Sequence, residues 1–181
     1  MPIVVAGKTC SGKSTIVNKL VSIYGFNRII TYTNRPKRKG EKDDIDYHFI
    51  TTKDFEQKIE EGFFAEWKSY DTEFGTWYYG SALEDLENAE DNTLVILTPN
   101  GYRDVCKKLE KKPTCIYIYA NNSTITKRLL ARGDNEREAE RRLKEDNKDF
   151  KDFEYEVDKI FYNNSDTAIN AVVERILNFV R

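Results

Sequence analysis

The chain has 181 residues, of which 39% are hydrophobic and 33% are charged, a composition typical of a single globular domain. Its 29 Lys and Arg residues nearly balance 31 Asp and Glu residues, and a net charge of −2 argues against a main role in binding nucleic acid or an anionic membrane. No stretch has the apolar length of a membrane span, and the N-terminal residues do not have the pattern of a signal peptide.

The cysteine and histidine content predicts a reducing compartment and no zinc site. Cys10, Cys106 and Cys115 are an odd and scattered set, and His48 is the single histidine, so zinc-ligand spacing is missing. We therefore expect a cytoplasmic protein that does not cross or bind a membrane.

Buried-strand and helix patterns alternate along most of the chain. Residues 3–6 form an apolar run, a glycine-rich turn follows, and a helix with apolar positions at helical spacing ends at Gly25. Further strands are predicted at 93–97, 115–119 and 159–162, and further helices at 100–109, 123–131 and 166–179. Strands that alternate with helices predict an α/β fold with a parallel sheet covered on both faces.

Two segments break this alternation. The stretch from Thr31 to Ser81 is rich in aromatic residues and predicts a small inserted antiparallel unit with one helix, Lys53 to Glu61, capped by Thr51 or Thr52. The run Ser81-Ala82-Leu83-Glu84 has the form of a capping box that starts the next helix. Residues 132–151 are charged, helical and poor in apolar positions, which predicts a solvated helical flap.

The segment from Gly7 to Ser14 fits the phosphate-loop pattern G-x-x-x-x-G-K-[ST], after a strand and before a helix. Glycines let backbone N–H groups converge on phosphate oxygens, and the helix N-terminus adds partial positive charge. Lys13 would contact the terminal phosphates and Ser14 would supply a hydroxyl to Mg²⁺. The alternative is an ordinary glycine-rich turn. The predicted ATP-binding residues of this loop are Gly7, Lys8, Thr9, Cys10, Ser11, Gly12, Lys13, Ser14 and Thr15.

A phosphate loop leaves the phosphoryl acceptor open, and Arg35, Arg38 and Glu41 are candidates to bind it. Two guanidinium groups at this spacing suit a phosphomonoester, and Glu41 would hold one of them in place. The alternative is a solvated basic loop balanced by its acidic neighbours Asp43 and Asp44.

Several motifs in order resemble the guanylate kinase family, whose usual forms are S-T-T-R-x-x-R-x-G-E, D-Y-x-F, F-x-E-W and N-Y-Y-G-[ST]. The corresponding segments here are Thr31 to Glu41, Asp46 to Phe49, Phe64 to Trp67, Trp77 to Ser81, and the lid-like segments Arg128 to Gly133 and Arg141 to Leu143. Together with the phosphate loop they cover the chain from its first strand to its last.

The resemblance implies roles at the matching positions. The nucleoside monophosphate would be bound by Thr31, Arg35, Arg38, Glu41, Tyr47, Glu66, Tyr79, Ser81 and Thr98. Phosphoryl transfer would depend on Lys13, Arg35, Arg38, Arg132 and Arg142, and Asn163 would lie near the donor adenine. Tyr47 and Tyr79 could instead be packed aromatic residues, and Arg132 could be a helix C-terminal charge.

The sequence also departs from the family pattern. Where the family usually carries aspartates, this chain has Ile96 and Thr98, which removes a carboxylate that would help with the guanine amino group or with metal-bound water. An added loop is predicted from Asp71 to Thr76, and the lid is slightly shorter. These departures concern the strictness of guanine specificity.

The resemblance therefore implies an α/β P-loop kinase with a parallel-sheet core, an inserted antiparallel monophosphate-binding subdomain and a helical lid. The expected division of this single domain is core 1–32, 82–126 and 155–181, insertion 33–81 and lid 127–154. The expected activity is ATP-dependent and Mg²⁺-dependent phosphorylation of GMP or dGMP by a monomer or homodimer. The alternatives are a kinase for another nucleoside monophosphate, a non-catalytic guanylate-kinase-like module that binds protein ligands, and a nucleotide-hydrolysing switch.

Overall fold

The computed structural model describes residues 1–72, 74–133, 136–165 and 169–180. Its strands are β1 (Ile3–Ala6), β2 (Asn27–Arg28), β3 (Tyr32–Thr33), β4 (His48–Phe49), β5 (Phe64–Thr72), β6 (Gly75–Ala82), β7 (Thr93–Ile96), β8 (Thr114–Tyr119) and β9 (Lys159–Tyr162). Its helices are α1 (Lys13–Tyr24), α2 (Thr52–Glu60), α3 (Leu83–Glu87), α4 (Pro99–Lys108), α5 (Asn122–Ala131), α6 (Glu136–Asp149) and α7 (Ile169–Val180), with a 3-10 turn at Phe153–Tyr155.

The core is a parallel sheet of five strands in the order β2-β7-β1-β8-β9. All four residues of β1 are buried, as their continuous apolar run predicts for a central parallel strand. One face packs against α1 and α7 through a cluster that contains Ile16, Leu20 and Ile176. The other face packs against α4 and the 3-10 turn through Tyr102, Val105 and Phe153. The carboxyl end of β1 therefore enters the phosphate loop from a rigid base.

A second sheet of four strands, in the order β4-β3-β6-β5, lies within the predicted insertion. It is mixed rather than purely antiparallel, because β3 pairs in parallel with β4 and antiparallel with β6. Sequence patterns did not reveal this, since β3 and β4 have two residues each. Helix α2 covers the sheet through the buried ring of Phe55, which stacks on Phe64 and Tyr78.

Two local predictions differ from the structure, and one strand was not predicted. Ser81 does not cap a helix: it is the seventh residue of β6 and its hydroxyl bonds to Glu66, while the N-cap of α3 is Ala82, without a side-chain cap. The segment from Asp71 to Thr76 is largely strand, because Asp71 pairs with Thr76 and Thr72 with Gly75 in an extended hairpin. The edge strand β2 was not predicted, since its two residues are polar and carry no pattern.

The predicted helices agree closely with the structure. Thr51 is the N-cap of α2 and accepts a hydrogen bond from the Asp54 N–H at 3.1 Å. Gly25 caps α1 in the left-handed conformation at φ 73°. The predicted start of the last helix at Asp166 lies outside the described residues. Helix α6, in the predicted flap, is exposed on one side only: Ala139 is buried against Ile125 and Leu129 of α5.

None of the described helices has the length and apolar character needed to cross a membrane. Within the same ranges of the chain, no three His, Cys, Asp or Glu side chains are grouped as metal ligands.

Candidate active site

The phosphate loop joins β1 to α1 through backbone conformations that favour glycine. Gly12, the N-cap of α1, lies at φ 98°, and Cys10 at φ 51°. A Cβ atom at Gly7 would lie 2.6 Å from the Ile118 carbonyl oxygen and 2.6 Å from Ser11 Oγ. Close packing therefore requires glycine at position 7 and the positive φ favours glycine at position 12, in the strand-to-helix position where such loops bind phosphate.

Lys13 points back across this loop. Its ammonium group donates to the carbonyl oxygens of Gly7 at 2.5 Å and Lys8 at 2.7 Å. Burial lowers the pKa of Lys13 to about 8, while the negative charge of Asp146 opposes that shift. An anion in front of the loop would stabilise the charged form.

Asn163 lies behind the loop and is only 1% exposed. Its side-chain nitrogen donates to the Ser11 carbonyl at 2.8 Å, and a Cβ atom at Gly12 would lie 2.4 Å from that nitrogen. The side chain therefore supports the loop from beneath, and its predicted place near the donor adenine stays a prediction.

Ser14 and Thr15 are exposed on the first turn of α1. A hydroxyl one residue after the loop lysine fits Mg²⁺, which is usually bound by few protein ligands and by substrate phosphates. Strand β7 offers no carboxylate nearby, since Ile96 and Thr98 occupy the cavity wall at its end.

Arg35 and Glu41 form an ion pair, so Glu41 holds one of the two arginines in place as predicted. Arg35 is 3% exposed, and its Nη2 donates to both carboxylate oxygens of Glu41 at 2.9 Å. Its Nη1 donates to the Pro36 carbonyl at 2.7 Å. The Arg35 guanidinium is thus fixed by Glu41, and Arg38 is the more exposed cation of the pair.

Arg38 lies among other guanidinium groups. Burial lowers its pKa, and the positive charges of Arg35, Arg132 and Arg142 lower it further. These four guanidinium groups repel one another, so binding of a multiply charged anion between them is electrostatically favourable. This cluster also brings the insertion and the lid segments to one point, although Arg132 itself is exposed at the C-cap of α5.

Tyr47 and Tyr79 flank this cluster. The Arg35 Cζ atom lies 5.5 Å from the Tyr47 ring centre, and the two tyrosine rings meet edge to face at 6.0 Å. Burial raises the pKa of Tyr79, while Arg35 and Arg38 lower it. Both rings are packed, as one alternative expected, and both line the cavity.

Glu66 and Ser81 form a neighbouring polar pair on adjacent strands. The Ser81 hydroxyl donates to Glu66 Oε1 at 2.6 Å. Burial raises the pKa of Glu66 to about 7, and the Ser81 hydrogen bond opposes the shift. Gly101 lies against the carboxylate: a Cβ atom there would be 2.7 Å from Glu66 Oε2.

Thr98 has a structural role that the sequence analysis did not predict. It is the N-cap of α4, and its hydroxyl accepts a hydrogen bond from the Gly101 N–H at 3.1 Å. Because Gly101 lies against the Glu66 carboxylate, the Thr98 cap also fixes the backbone that packs on this carboxylate.

One cavity of about 300 Å³ is lined by residues of the phosphate loop, of the predicted insertion and of helix α6 in the predicted lid. Of the predicted residues, its walls include Gly7, Thr9, Lys13, Thr31, Arg35, Arg38, Tyr47, Glu66, Tyr79, Thr98 and Arg142. The predicted residues that lie around it, outside its lining, are Lys8, Cys10, Ser11, Gly12, Ser14, Thr15, Glu41, Ser81, Arg132 and Asn163.

The cavity also has walls that were not predicted. Tyr70 and Trp77 come from the extended hairpin, and Lys68 forms an ion pair with Asp149 of α6. Asp146 of the same helix accepts a hydrogen bond from the Thr9 N–H at 2.6 Å. The spacing of Arg142, Asp146 and Asp149 places them on one helix face, and this pattern could have indicated that the helix lines the cavity. A helix that only faces solvent has the same pattern of mixed charges, so the sequence did not distinguish the two.

The family model described as guanylate kinase matches residues 1–179 of this chain. The chain belongs to the guanylate kinase family. A guanylate kinase from Fusobacterium nucleatum is 31% identical over 183 residues, covering 98% of this chain and 96% of that protein. A guanylate kinase from Schizosaccharomyces pombe is 33% identical over 108 residues, covering 58% of this chain and 52% of that protein.

A solved structure has the same fold. The crystal structure of guanylate kinase from Anaplasma phagocytophilum matches with a TM-score of 0.71 at 24% identity, covering 100% of this chain and 84% of that chain. The α/β P-loop kinase fold predicted from the sequence is thereby confirmed, and so is the resemblance to the guanylate kinase family.

Proposed function

We propose that this guanylate kinase family member transfers the γ-phosphoryl group of ATP to GMP or dGMP, which produces ADP and GDP or dGDP. The observation that carries the proposal is one cavity whose walls include the phosphate loop, the Arg38 cluster, Glu66 and the lid residue Arg142. Family membership over residues 1–179 supports guanylate kinase activity.

The donor triphosphate would bind the phosphate loop. The backbone N–H groups at the start of α1 would bind phosphate oxygens, and the Lys13 ammonium group lies across the loop that leads into this helix. Mg²⁺, bound with ATP and to Ser14, would neutralise phosphate charge. Asn163 and the two glycines would keep the loop rigid, so the donors need no reorganisation during the reaction.

The acceptor phosphate would bind to Arg38, Tyr47 and Tyr79. Glu41 holds Arg35 beside them, so its charge contributes while its geometry stays fixed. Arg132 and Arg142 approach the same point from the lid, which supports a role in neutralising the transferred phosphoryl group. Phosphoryl transfer requires this positioning and charge neutralisation, and no covalent enzyme intermediate.

The base would be recognised by Glu66, Ser81 and Thr31. Guanine has two donors, a ring N–H and an amino group, and an ionised Glu66 carboxylate can accept hydrogen bonds from both. The O6 atom of guanine is an acceptor, and the Thr31 hydroxyl can donate a hydrogen bond to it. Thr98 and Ile96 add no charge to this wall, so Glu66 carries most of the guanine preference. Ser81 would hold the Glu66 carboxylate in position.

We also propose the division into core 1–32, 82–126 and 155–181, insertion 33–81 and lid 127–154. The two separate sheets support a division near residue 32 and again near residue 82, because β1 and β2 belong to one sheet and β3 to β6 belong to the other. Tyr32 at the start of β3 and Ala82 at the end of β6 lie at these boundaries. The ion pair from Lys68 to Asp149 and the hydrogen bond from Thr9 to Asp146 support lid closure over both substrates. The chain would act as a monomer or homodimer in the cytoplasm.

The test is an assay of purified protein with ATP, Mg²⁺ and a panel of GMP, dGMP, AMP, CMP and TMP at equal concentrations. We expect GMP or dGMP to give the highest kcat/KM. Lys13→Ala should reduce the rate on the order of a hundredfold or more while the fold is retained, and Lys127→Ala is the matched charge control. Preference for another base would contradict guanine specificity alone, and a folded but inactive protein would favour a protein-binding module.

A further inference from the structure

Helix α6 presents one charged face to the cavity. Arg142, Asp146 and Asp149 are spaced i, i+4 and i+7, so they lie in one row along the helix, and all three line the cavity. Arg142 faces the Arg38 cluster, and Asp149 pairs with Lys68 of β5. Asp146, between them, contacts the phosphate loop.

Asp146 has a contact that phosphate oxygens make in such loops. Its Oδ2 atom accepts a hydrogen bond from the Thr9 N–H at 2.6 Å, and its charge acts on Lys13. The side chain is thus an anionic oxygen acceptor, bonded to a loop N–H and facing the loop lysine. A nucleotide phosphate in the same loop has the same chemistry and uses the same donors.

We propose that Asp146 is a phosphate mimic carried by the lid, and that the terminal phosphates of the donor displace it from the Thr9 N–H. Asp146 would therefore weaken donor binding and set its affinity. The proposal rests on the proposed use of ATP.

The neighbouring contact reinforces this role. Lys8 donates through its ammonium group to the Asn147 Oδ1 atom at 2.5 Å, so two consecutive loop residues are bound by two consecutive residues of α6. A triphosphate that enters the loop would break the Asp146 contact and shift α6. Binding then replaces one charge-assisted hydrogen bond by another, and only the difference contributes to affinity.

The test measures binding of a non-hydrolysable ATP analogue and of inorganic tripolyphosphate to the full chain by calorimetry, each with and without Mg²⁺. We expect Asp146→Ala to lower the Kd for both by about tenfold, because the competing anion is removed. Glu140→Ala, which removes a negative charge from the exposed side of the same helix, is the matched control and should leave both Kd values unchanged.

The sign of the change decides the proposal. A structural role predicts weaker binding and a lower Tm for Asp146→Ala, and a metal-binding role predicts weaker binding only when Mg²⁺ is present. Either result, or unchanged Kd values, would overturn the proposal. A wild-type chain that binds neither probe would contradict the proposed function as well, whereas normal wild-type binding with no gain in the variant would contradict the mimic alone.

Discussion

The Ser81 hydroxyl donates a hydrogen bond to the Glu66 carboxylate at 2.6 Å, across two strands whose register places the residues opposite each other. The bond stabilises the ionised carboxylate, yet burial prevails and raises the pKa of Glu66 from its usual 4.5 to about 7. Glu66 is therefore only partly ionised near neutral pH, although the proposed recognition of guanine uses the charged form.

This pKa predicts a pH dependence of stability. Between pH 4.5 and about 7 the folded chain keeps a proton on Glu66 that the unfolded chain releases, so the free energy of unfolding falls as pH rises through this window. Glu66→Gln should remove that part of the slope. Denaturant unfolding at a series of pH values measures it, and equal slopes in the two proteins would contradict a raised pKa.

The same group predicts proton release on GMP binding. The guanine donors favour the ionised carboxylate, so binding at pH 7 should release about half a proton and the KM for GMP should fall as pH rises from about 6 to about 8. Calorimetry in buffers of different ionisation enthalpy measures the released proton. Glu66→Gln, the isosteric control, should bind GMP weakly without proton release; an unchanged release would place the titrating group elsewhere.

Arg38→Met is expected to affect the acceptor more than the donor. Arg38 is exposed beside Tyr79 and belongs to the insertion, so its removal should raise the KM for GMP by about tenfold or more and leave the KM for ATP within about threefold. Lys39→Ala, exposed in the same loop, is the control. Arg35→Met is less informative, because it leaves the partly buried Glu41 carboxylate without its cation and should destabilise the fold. Equal weakening of both substrates by Arg38→Met would argue against a separate acceptor site.

Charge reversal tests the contact between the acceptor wall and the lid. Lys68→Glu or Asp149→Lys alone places like charges together and should lower kcat by about tenfold, because the lid closes less often. The double variant restores opposite charges and should recover most of that loss. Lys107→Glu, in the exposed pair with Asp104, is the control. Additive losses in the double variant would show that the pair does not act in closure.

Thr98 is expected to act on stability through its cap. Thr98→Ala removes the acceptor for the Gly101 N–H and should cost about 1 kcal/mol in the free energy of unfolding, whereas Thr98→Ser should be close to neutral. Chemical denaturation of the three proteins measures the difference. If alanine and serine behave alike, the hydroxyl is not the relevant group.

The sequence by itself determined the main chain path and the chemistry of the phosphate loop. The apolar run of β1, the pattern from Gly7 to Ser14 and the cap of α1 at Gly25 are local features, and local backbone preferences decide them. The pairing of Arg35 with Glu41 was also predictable, since the two residues lie six positions apart in a single loop.

Only the tertiary structure decided the contacts between distant segments. Ser81 has the local signature of a capping box, but the pairing of β5 with β6 turns its hydroxyl to Glu66. Residues 136–149 have the pattern of a solvated helix, and packing against the phosphate loop makes Asp146 and Asp149 part of the cavity. Mixed charge patterns do not encode which partner a charged side chain meets, because that depends on long-range packing rather than on the neighbours in the chain.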